Sequence, residues 1–191
     1  LDDFRPIAEQ DVDLLRVANL FKSKKAPPYL VKPSLKQKAK IKTWLSKQFI
    51  SFNKKLIVIH APSRWKFKEL PIATWSQVID SLKEKKFEVV LCGSKDDLLT
   101  NQAIYASCTT NPVLTNNFSL IDTAALYSLA DLVLTIDSMS THLASATQTP
   151  VISIFGPSNE KNWGPWGGKH QVIALTSQDA PTFACRPCGQ D

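Results

Sequence analysis

The stretch at residues 132–158 reads LVLTIDSMSTHLASATQTPVISIFGPS, and it contains two apolar runs on either side of a segment of small and polar residues. The runs Leu132–Ile136 and Val151–Phe155 predict buried strands, and residues 143–147 predict a short helix between them. A strand that leads into a helix start rich in Ser and Thr is where α/β proteins hold phosphate. The stretch therefore predicts a parallel α/β sheet with a nucleotide-linked ligand.

The alternation of strands and helices extends upstream and downstream of this stretch. Continuous apolar strands separated by helices indicate a parallel sheet covered on both faces, which is a Rossmann-like α/β fold. The sequence has no Gly-x-Gly-x-x-Gly and no Walker loop, so ordinary dinucleotide-binding and P-loop sites are disfavoured. The other predicted strands lie at 56–60, 87–92, 113–115 and 171–175, and the other predicted helices at 34–49, 74–82, 96–105 and 122–129.

The composition is that of a folded domain of ordinary size. The 191 residues are 43% hydrophobic, and no apolar run approaches the roughly 20 residues that a membrane-spanning helix needs. No signal-peptide pattern opens the sequence, and the four cysteines do not resemble a secreted disulfide framework. These features predict a cytoplasmic protein. Because the chain starts at Leu1 and its only methionine is Met139, we expect it to be processed or part of a longer protein.

The positive charge is concentrated in one block. Residues 14–68 contain fifteen Lys or Arg and no Asp or Glu. Such a block suits an anionic lipid surface, a phosphorylated substrate or nucleic acid, but it is also typical of a solvated helix face. Trp44, Phe49 and Phe52 lie at helical spacing with apolar residues, which predicts that they pack in the core. Because no nucleic-acid module is recognisable, no nucleic-acid partner is expected.

The loops that follow the strands carry the candidate ligand-binding residues, because ligands of parallel sheets bind beyond the carboxyl ends of the strands. The segment Ser138, Met139, Ser140 can offer backbone N–H groups to phosphate, and Asp137 can accept hydrogen bonds from a sugar. An empty N-cap at Asp137 or Ser138 is the structural alternative. His142 can face a ligand or simply pack.

Two further loops add charged groups. Arg64 and Lys68 follow the first strand and can bind phosphate, unless they are solvated surface charges. Asp96 and Asp97 follow the second strand and can bind ribose hydroxyls, although acids at a helix start are also common on structural grounds. The long last loop offers tryptophans that can stack on a ligand or cover the end of the sheet.

Two motifs resemble metal sites. The Asp-x-Asp at 11–13 lies at a helix start, away from the sheet, so it is disfavoured as a metal-binding motif. Cys185 and Cys188 have the spacing of metal or redox motifs, but they are two ligands short of a zinc site. No metal site is predicted in this chain.

Taken in order, these loops resemble the heptosyltransferases of glycosyltransferase family 9. The first matching motif is HAPSRW at 60–65, which includes Ser63 and is followed by Lys68 and Pro71. The later matches are DS at 137–138, HLA at 142–144, TP at 149–150 and FGPS at 155–158. The WGPW at 163–166 and the CRPCG at 185–189 are most similar to the branch that adds the third heptose of the lipopolysaccharide core. The resemblance covers roughly residues 56–190.

The resemblance implies a two-domain glycosyltransferase of the GT-B architecture that inverts the anomeric carbon. Its donor is ADP-L-glycero-D-manno-heptose, its acceptor is a phosphorylated glycolipid at the inner membrane surface, and it needs no cofactor and no obligatory metal. By the family pattern, Lys68 and the backbone at residues 138–140 bind the diphosphate, Asp137 binds the heptose, and Asp96 or Asp97 binds the adenosine ribose. The pattern departs from many members at Met139, where they have glycine, and at Leu70, where they have tryptophan.

The resemblance also implies that the chain is the C-terminal, donor-binding half. Residues 1–55 are expected to be linker and helical segment from the N-terminal half, 56–180 the donor-binding domain and 181–191 a Cys-containing tail. Residues 1–55 contain no glycine, so the glycine-rich loop of an N-terminal half, with its Asp base, is expected elsewhere and no catalytic residue is predicted here. The alternative is a non-catalytic anion- or nucleotide-binding domain with a basic surface for membrane or nucleic acid.

Overall fold

A six-stranded parallel sheet forms the centre of the molecule, and the computed structural model describes residues 5–115 and 117–174. Every strand of the sheet runs parallel to its neighbours. The strands are β1 (Leu56–His60), β2 (Glu88–Leu91), β3 (Val113–Leu114), β4 (Leu132–Ile136), β5 (Val151–Phe155) and β6 (His170–Ala174). The helices are α1 (Ile7–Val17), α2 (Leu35–Lys47), α3 (Ile72–Glu84), α4 (Leu98–Ser107), α5 (Leu120–Tyr127), α6 (Met139–Ala146) and α7 (Glu160–Trp163).

The strand order is β3-β2-β1-β4-β5-β6, which confirms the predicted Rossmann-like topology. The chain runs outward from β1 to β3 and then returns to pair β4 with the other side of β1. At this switch point the loops after β1 and β4 diverge, which leaves a crevice at the carboxyl ends of the strands. His60 at the end of β1 and Asp137 directly after β4 therefore flank the crevice.

Helices cover both faces of the sheet, as the apolar runs predicted. Side chains alternate along β1, so that Val58 packs on one face and Ile59 on the other. The first face is covered by α2, α5 and α6, and the second face is covered by α3 and α4. Burial on both faces explains why these strands read as continuous apolar runs.

Three helices begin earlier than the sequence predicted, and the first of them, α3, was expected from residue 74 but begins at Ile72. The helix expected from residue 122 begins at Leu120, because Ser119 is its N-cap and forms a capping box with Asp122. The helix expected from residue 143 begins at Met139, directly after its N-cap Ser138. In these last two segments the serine hydroxyl binds a backbone N–H near the helix start.

Helix α2 packs against the sheet and shares its hydrophobic core. Its N-cap is Ser34, which forms a capping box with Gln37. Trp44 is partly buried and meets the ring of Phe118 edge-on, with the centroids 4.8 Å apart. The expectation that Phe49 and Phe52 also pack in the core was wrong, because their exposed fractions are 94% and 58%. Both lie beyond the end of α2, where the helical spacing no longer applies.

The segment before α2 contacts the last loop of the chain. The indole N–H of Trp166 donates to the carbonyl oxygen of Pro27 at 3.0 Å. Asp13 of the Asp-x-Asp motif pairs with Arg16 of α1 and with Arg5, which precedes the helix. The predicted tail with Cys185 and Cys188 lies outside the described residues. No helix in residues 5–115 and 117–174 is long and apolar enough to cross a membrane.

Candidate functional site

A cleft of about 830 Å³ lies at the carboxyl ends of the strands, at the switch point between β1 and β4. Its walls come from the loops after β1, β2 and β4, the start of α5, and α7. The structure thus brings together five segments that are far apart in the sequence. The lining residues are His60, Pro62, Ser63, Arg64, Trp65, Lys66, Lys68, Gly93, Ser94, Asp96, Asp97, Phe118, Leu120, Thr123, Asp137, Ser138, Met139, His142 and Trp163.

An ion pair between Lys68 and Asp137 lies in the cleft. The Nζ of Lys68 donates to Oδ2 of Asp137 at 2.7 Å, and the two side chains are only 18% and 9% exposed. Exclusion of water strengthens the attraction between these charges and raises the cost of leaving either one unpaired. The pair therefore connects the two loops on opposite sides of the switch point.

The start of α6 offers two backbone N–H groups. Within the described residues, the N–H groups of Ser138 and Met139 donate no hydrogen bond, whereas Ser140 N donates to Ser138 Oγ at 3.3 Å. A helix start carries about half a positive charge, so these two groups suit an anion. The side chain of Met139 is exposed at the cleft.

Ser140 is the one predicted site residue that does not line the cleft. It is fully buried, and its Oγ accepts a hydrogen bond from the Tyr127 hydroxyl at 2.9 Å. Tyr127 in turn lies 3.5 Å from Cys92 Sγ. Burial raises the pKa of Tyr127, and it raises the pKa of Cys92 to about 12. This neutral network joins the end of β2, α5 and the start of α6 behind the cleft wall, and neither Tyr127 nor Cys92 was predicted to support the site.

The loop after β1 presents cations to the cleft and is stabilised from within. Glu69 Oε1 accepts hydrogen bonds from Ser63 N at 2.8 Å and from Lys66 Nζ at 2.9 Å. The Ser63 hydroxyl accepts from Trp65 N at 3.2 Å. Arg64 is exposed at the cleft and makes no hydrogen bond or ion pair within the described residues. Its guanidinium therefore remains available for an anion.

The loop after β2 separates the roles of two neighbouring aspartates. Asp97 Oδ2 accepts from the backbone N–H of Ser94 at 2.7 Å and from its hydroxyl at 2.8 Å, so it caps the turn. Asp96 is exposed, lines the cleft and has no ion pair or hydrogen bond within the described part of the chain. A Cβ at Gly93 would approach Cβ of Asp97 to 2.8 Å, so glycine permits this tight turn.

Two histidines lie in the cleft wall in a buried setting. Burial lowers the pKa of His60, and the Asp97 carboxylate, 3.9 Å from Nε2, opposes this shift. Burial also lowers the pKa of His142, and Asp137 opposes it. The Nδ1 atom of His60 is buried without a hydrogen-bond partner. His60 belongs to the HAPSRW motif but was not predicted as a site residue, although its position at a strand end next to the predicted site was a usable signal.

The arrangement matches the chemistry of a nucleoside diphosphate. Arg64, Lys68 and the N–H groups at the start of α6 supply positive charge for phosphates. The carboxylates of Asp96 and Asp137 line the same cleft and can accept hydrogen bonds from hydroxyl groups. The same wall also carries the aromatic rings of Phe118 and Trp163.

The comparisons with known proteins point to one family. Residues 5–188 match glycosyltransferase family 9 (heptosyltransferase). Over 131 residues, or 66% of this chain, the sequence is 38% identical to lipopolysaccharide heptosyltransferase 3 of Escherichia coli. This likeness agrees with the branch that the closing motifs resembled. The chain covers only 38% of the length of that curated relative.

Solved structures agree on the fold. A glycosyltransferase of family 9 from Veillonella parvula superposes with a TM-score of 0.85 at 20% identity, over 96% of this chain and 52% of that one. The E. coli heptosyltransferase WaaC with ADP-2-deoxy-2-fluoro heptose gives a TM-score of 0.57 at 17% identity, over 90% of this chain and 52% of that one. This chain therefore has the fold of about half of each of these proteins.

Proposed function

Since this chain belongs to glycosyltransferase family 9, the heptosyltransferases, we propose that it is the donor-binding half of an inverting heptosyltransferase. The proposed donor is ADP-L-glycero-D-manno-heptose, and the proposed acceptor is the inner core of lipopolysaccharide, a phosphorylated glycolipid. The observation that carries the proposal is the cleft itself, which cations and free amides line together with the carboxylates of Asp96 and Asp137. A related fold with a fluorinated ADP-heptose supports this class of donor.

We assign the donor groups along the cleft as follows. The diphosphate binds Arg64, Lys68 and the amides of Ser138 and Met139, because these are the positive groups of the cleft wall without a full set of partners. The adenosine ribose binds Asp96 rather than Asp97, because Asp97 already accepts two hydrogen bonds. The heptose hydroxyls donate to Asp137.

The ion pair between Lys68 and Asp137 is compatible with a bound donor. A lysine ammonium has three N–H donors, and only one is needed for Asp137. The remaining two can reach a phosphate oxygen while the pair persists, so that the lysine links the phosphate to the carboxylate that holds the sugar. The pair thereby fixes the diphosphate relative to the anomeric carbon, which is the alignment that group transfer requires.

The proposal leaves acceptor activation to a second domain. We propose that the Asp base and the acceptor site belong to an N-terminal domain outside these 191 residues, and that no obligatory metal takes part. On this proposal, residues 56–180 hold the donor. The protein works on the cytoplasmic side at the inner membrane surface, where its glycolipid acceptor is inserted.

Calorimetry with the 191-residue chain tests the donor assignment. We expect ADP to bind, ADP-heptose to bind more tightly than ADP, and UDP not to bind. The variant Arg64→Gln is expected to lose about tenfold in ADP affinity, because it removes a charge-assisted hydrogen bond. Lys85→Gln, which removes an exposed cation outside the cleft, is the matched control and is expected to bind ADP normally. Preference for UDP over ADP would overturn the assignment.

A transfer assay tests the division of labour. The chain alone is expected to show no transfer of heptose to a lipopolysaccharide acceptor, whatever the metal supplied. Turnover by the isolated chain would contradict the placement of the base in another domain, while leaving the ADP site in place.

A further inference from the structure

The exposed side of α2 is basic and carries no acidic side chain. Lys36, Lys40, Lys42 and Lys47 are exposed there, while Ile41 on the opposite side is fully buried. Lys40 pairs with Asp122. Within the described residues the other three lysines have no ion pair, so their charge faces solvent.

Large apolar side chains mark both ends of this basic side. Leu35, the first residue of α2, is 86% exposed, and Phe49, just beyond its end, is 94% exposed. We call Leu35, Lys36, Lys40, Lys42, Lys47 and Phe49 the α2 surface. Single exposed apolar residues are common, but here two of them lie at the two ends of a helix that also exposes Lys36, Lys42 and Lys47, which have no ion pair within the described residues.

Phe49 occupies a position that favours a different residue. It is the residue after the C-cap of α2, with φ of 59°. Ile50 N donates to Leu45 O and Phe49 N to Ser46 O, which is the Schellman arrangement that favours glycine or asparagine at this position. A bulky side chain in this left-handed conformation is an outlier, and it buries almost nothing here. Neither backbone preference nor packing accounts for an aromatic ring at this site.

We propose that the α2 surface binds an anionic lipid bilayer. Lysines near a membrane are attracted to anionic headgroups, and a protruding aromatic ring inserts at the interface, where its apolar surface leaves water. A membrane uses both kinds of exposed group. Nucleic acid is the less suitable partner, because Leu35 offers no π-face on which a base can stack.

The α2 surface lies beside the donor cleft without covering it. Lys40 Nζ donates to Asp122 in α5 at 2.7 Å, and residues of the same helix line the cleft. Trp44 of α2 contacts Phe118, which also lines the cleft. The inference stands on these exposed groups and does not depend on the identity of the donor.

Vesicle flotation tests this surface on the 191-residue chain. The chain is expected to bind vesicles of phosphatidylcholine with phosphatidylglycerol, to ignore pure phosphatidylcholine, and to dissociate as salt rises. Lys36→Gln, Lys42→Gln and Lys47→Gln together should weaken binding by about fivefold for each lysine. The matched control, Lys22→Gln, Lys24→Gln and Lys85→Gln, removes the same charge outside the α2 surface and should bind nearly normally.

Phe49→Asn separates membrane contact from folding. Asparagine tolerates the left-handed conformation, so the denaturation midpoint should stay the same or rise while vesicle binding weakens severalfold. Three outcomes would overturn the proposal: no binding to the anionic vesicles, equal losses in the two triple variants, or an unchanged affinity of Phe49→Asn together with tighter binding to a single-stranded oligonucleotide. Calorimetry is expected to give the same ADP affinity for these variants as for the unchanged chain. Failure of the membrane proposal is therefore distinguishable from failure of the donor assignment.

Discussion

Residues of the same type that are close in the sequence have different roles in this structure. Asp96 and Asp97 are adjacent in sequence, but only Asp97 closes a capping box on Ser94. Ser138 and Ser140 are two positions apart, but only Ser138 lines the cleft. The difference arises because a tight turn or a helix start directs successive residues to opposite sides, toward the core or toward the ligand.

The two aspartates give a matched pair of variants. Asp96→Asn is expected to weaken ADP binding about tenfold without changing the denaturation midpoint, because its carboxylate has no structural partner. Asp97→Asn is expected to lower the free energy of unfolding by about 1–2 kcal/mol, because it removes charge-assisted hydrogen bonds to Ser94. Calorimetry and urea unfolding measure the two effects. Equal loss of ADP affinity in both variants would contradict the assignment of the ribose to Asp96.

Buried histidines predict how stability depends on pH. Burial lowers the pKa of His60 and of His142, so the folded state binds fewer protons than the unfolded state, where the pKa of histidine is about 6.5. Their contribution to stability is present above that value and is lost as pH falls toward their lower folded-state pKa values.

We therefore expect the free energy of unfolding to decrease between about pH 7.5 and about pH 5.5. Urea titrations at several pH values measure this slope. The double variant His60→Gln and His142→Gln should show a smaller slope, because the groups that gain protons on unfolding are gone. A double variant with the slope of the unchanged chain would show that other groups cause the dependence.

At the scale of elements, several helices end in a left-handed residue that is not glycine. Asn19, Phe49, Lys86 and Gln148 each have φ near 60° and directly follow a helix C-cap. Glycine adopts this conformation without the clash of a Cβ, so each of these helix ends is less stable than it could be. At Phe49 we attribute the choice to lipid contact; nothing in the structure explains the residue type at Lys86.

Lys86→Gly is expected to stabilise the chain. At the end of α3, Phe87 N donates to Leu82 O and Lys86 N to Lys83 O, so the turn is already formed and only the φ of 64° is unfavourable. Glycine should raise the free energy of unfolding by about 1 kcal/mol. The neighbouring Lys85→Gly, at φ of −77°, should lower it by a similar amount. Chemical denaturation of the two variants measures the change in the free energy of unfolding. A change of the same sign in both variants would contradict this account.

At the scale of the whole molecule, the two ends of the described chain are held together. The last loop contacts the segment before α2 through Trp166 and Pro27, and Val31 N donates to Ala146 O at 2.8 Å. The contact between the last loop and the segment before α2 requires glycine at residue 167. Its φ is +76°, and a Cβ there would approach Cβ of Pro28 to 2.7 Å. The N-terminal segment is thereby attached to the edge of the sheet at β6.

Gly167→Ala is expected to detach the N-terminal segment without unfolding the sheet. Trypsin should then cleave faster at the exposed Lys22, Lys24 and Lys25, while the denaturation midpoint of the core shifts little. Gly156→Ala is the matched control, because a Cβ at Gly156 meets no atom within 4 Å. Unchanged cleavage in Gly167→Ala would show that the contact does not hold the segment in solution.

Much of the architecture was readable from the sequence. All six strands were predicted, because strands buried on both faces must be continuous apolar runs. The alternation of strands with helices then required a parallel sheet, and the sheet required its functional loops to share one edge. Helix starts were less accurate, since the serine caps at Ser119 and Ser138 lie before the apolar positions that signal a helix.

The sequence by itself determined the fold, the family resemblance and the edge of the sheet at which the cleft lies, because these follow from periodicity and loop order. Only the tertiary structure showed that Lys68 pairs with Asp137 across 69 residues, that Ser140 lies behind the cleft wall, and that Phe49 is exposed. Such facts depend on which side chains meet across the sheet and on single backbone angles. Local pattern does not encode either of them, since contacts between distant residues form only when the whole chain packs.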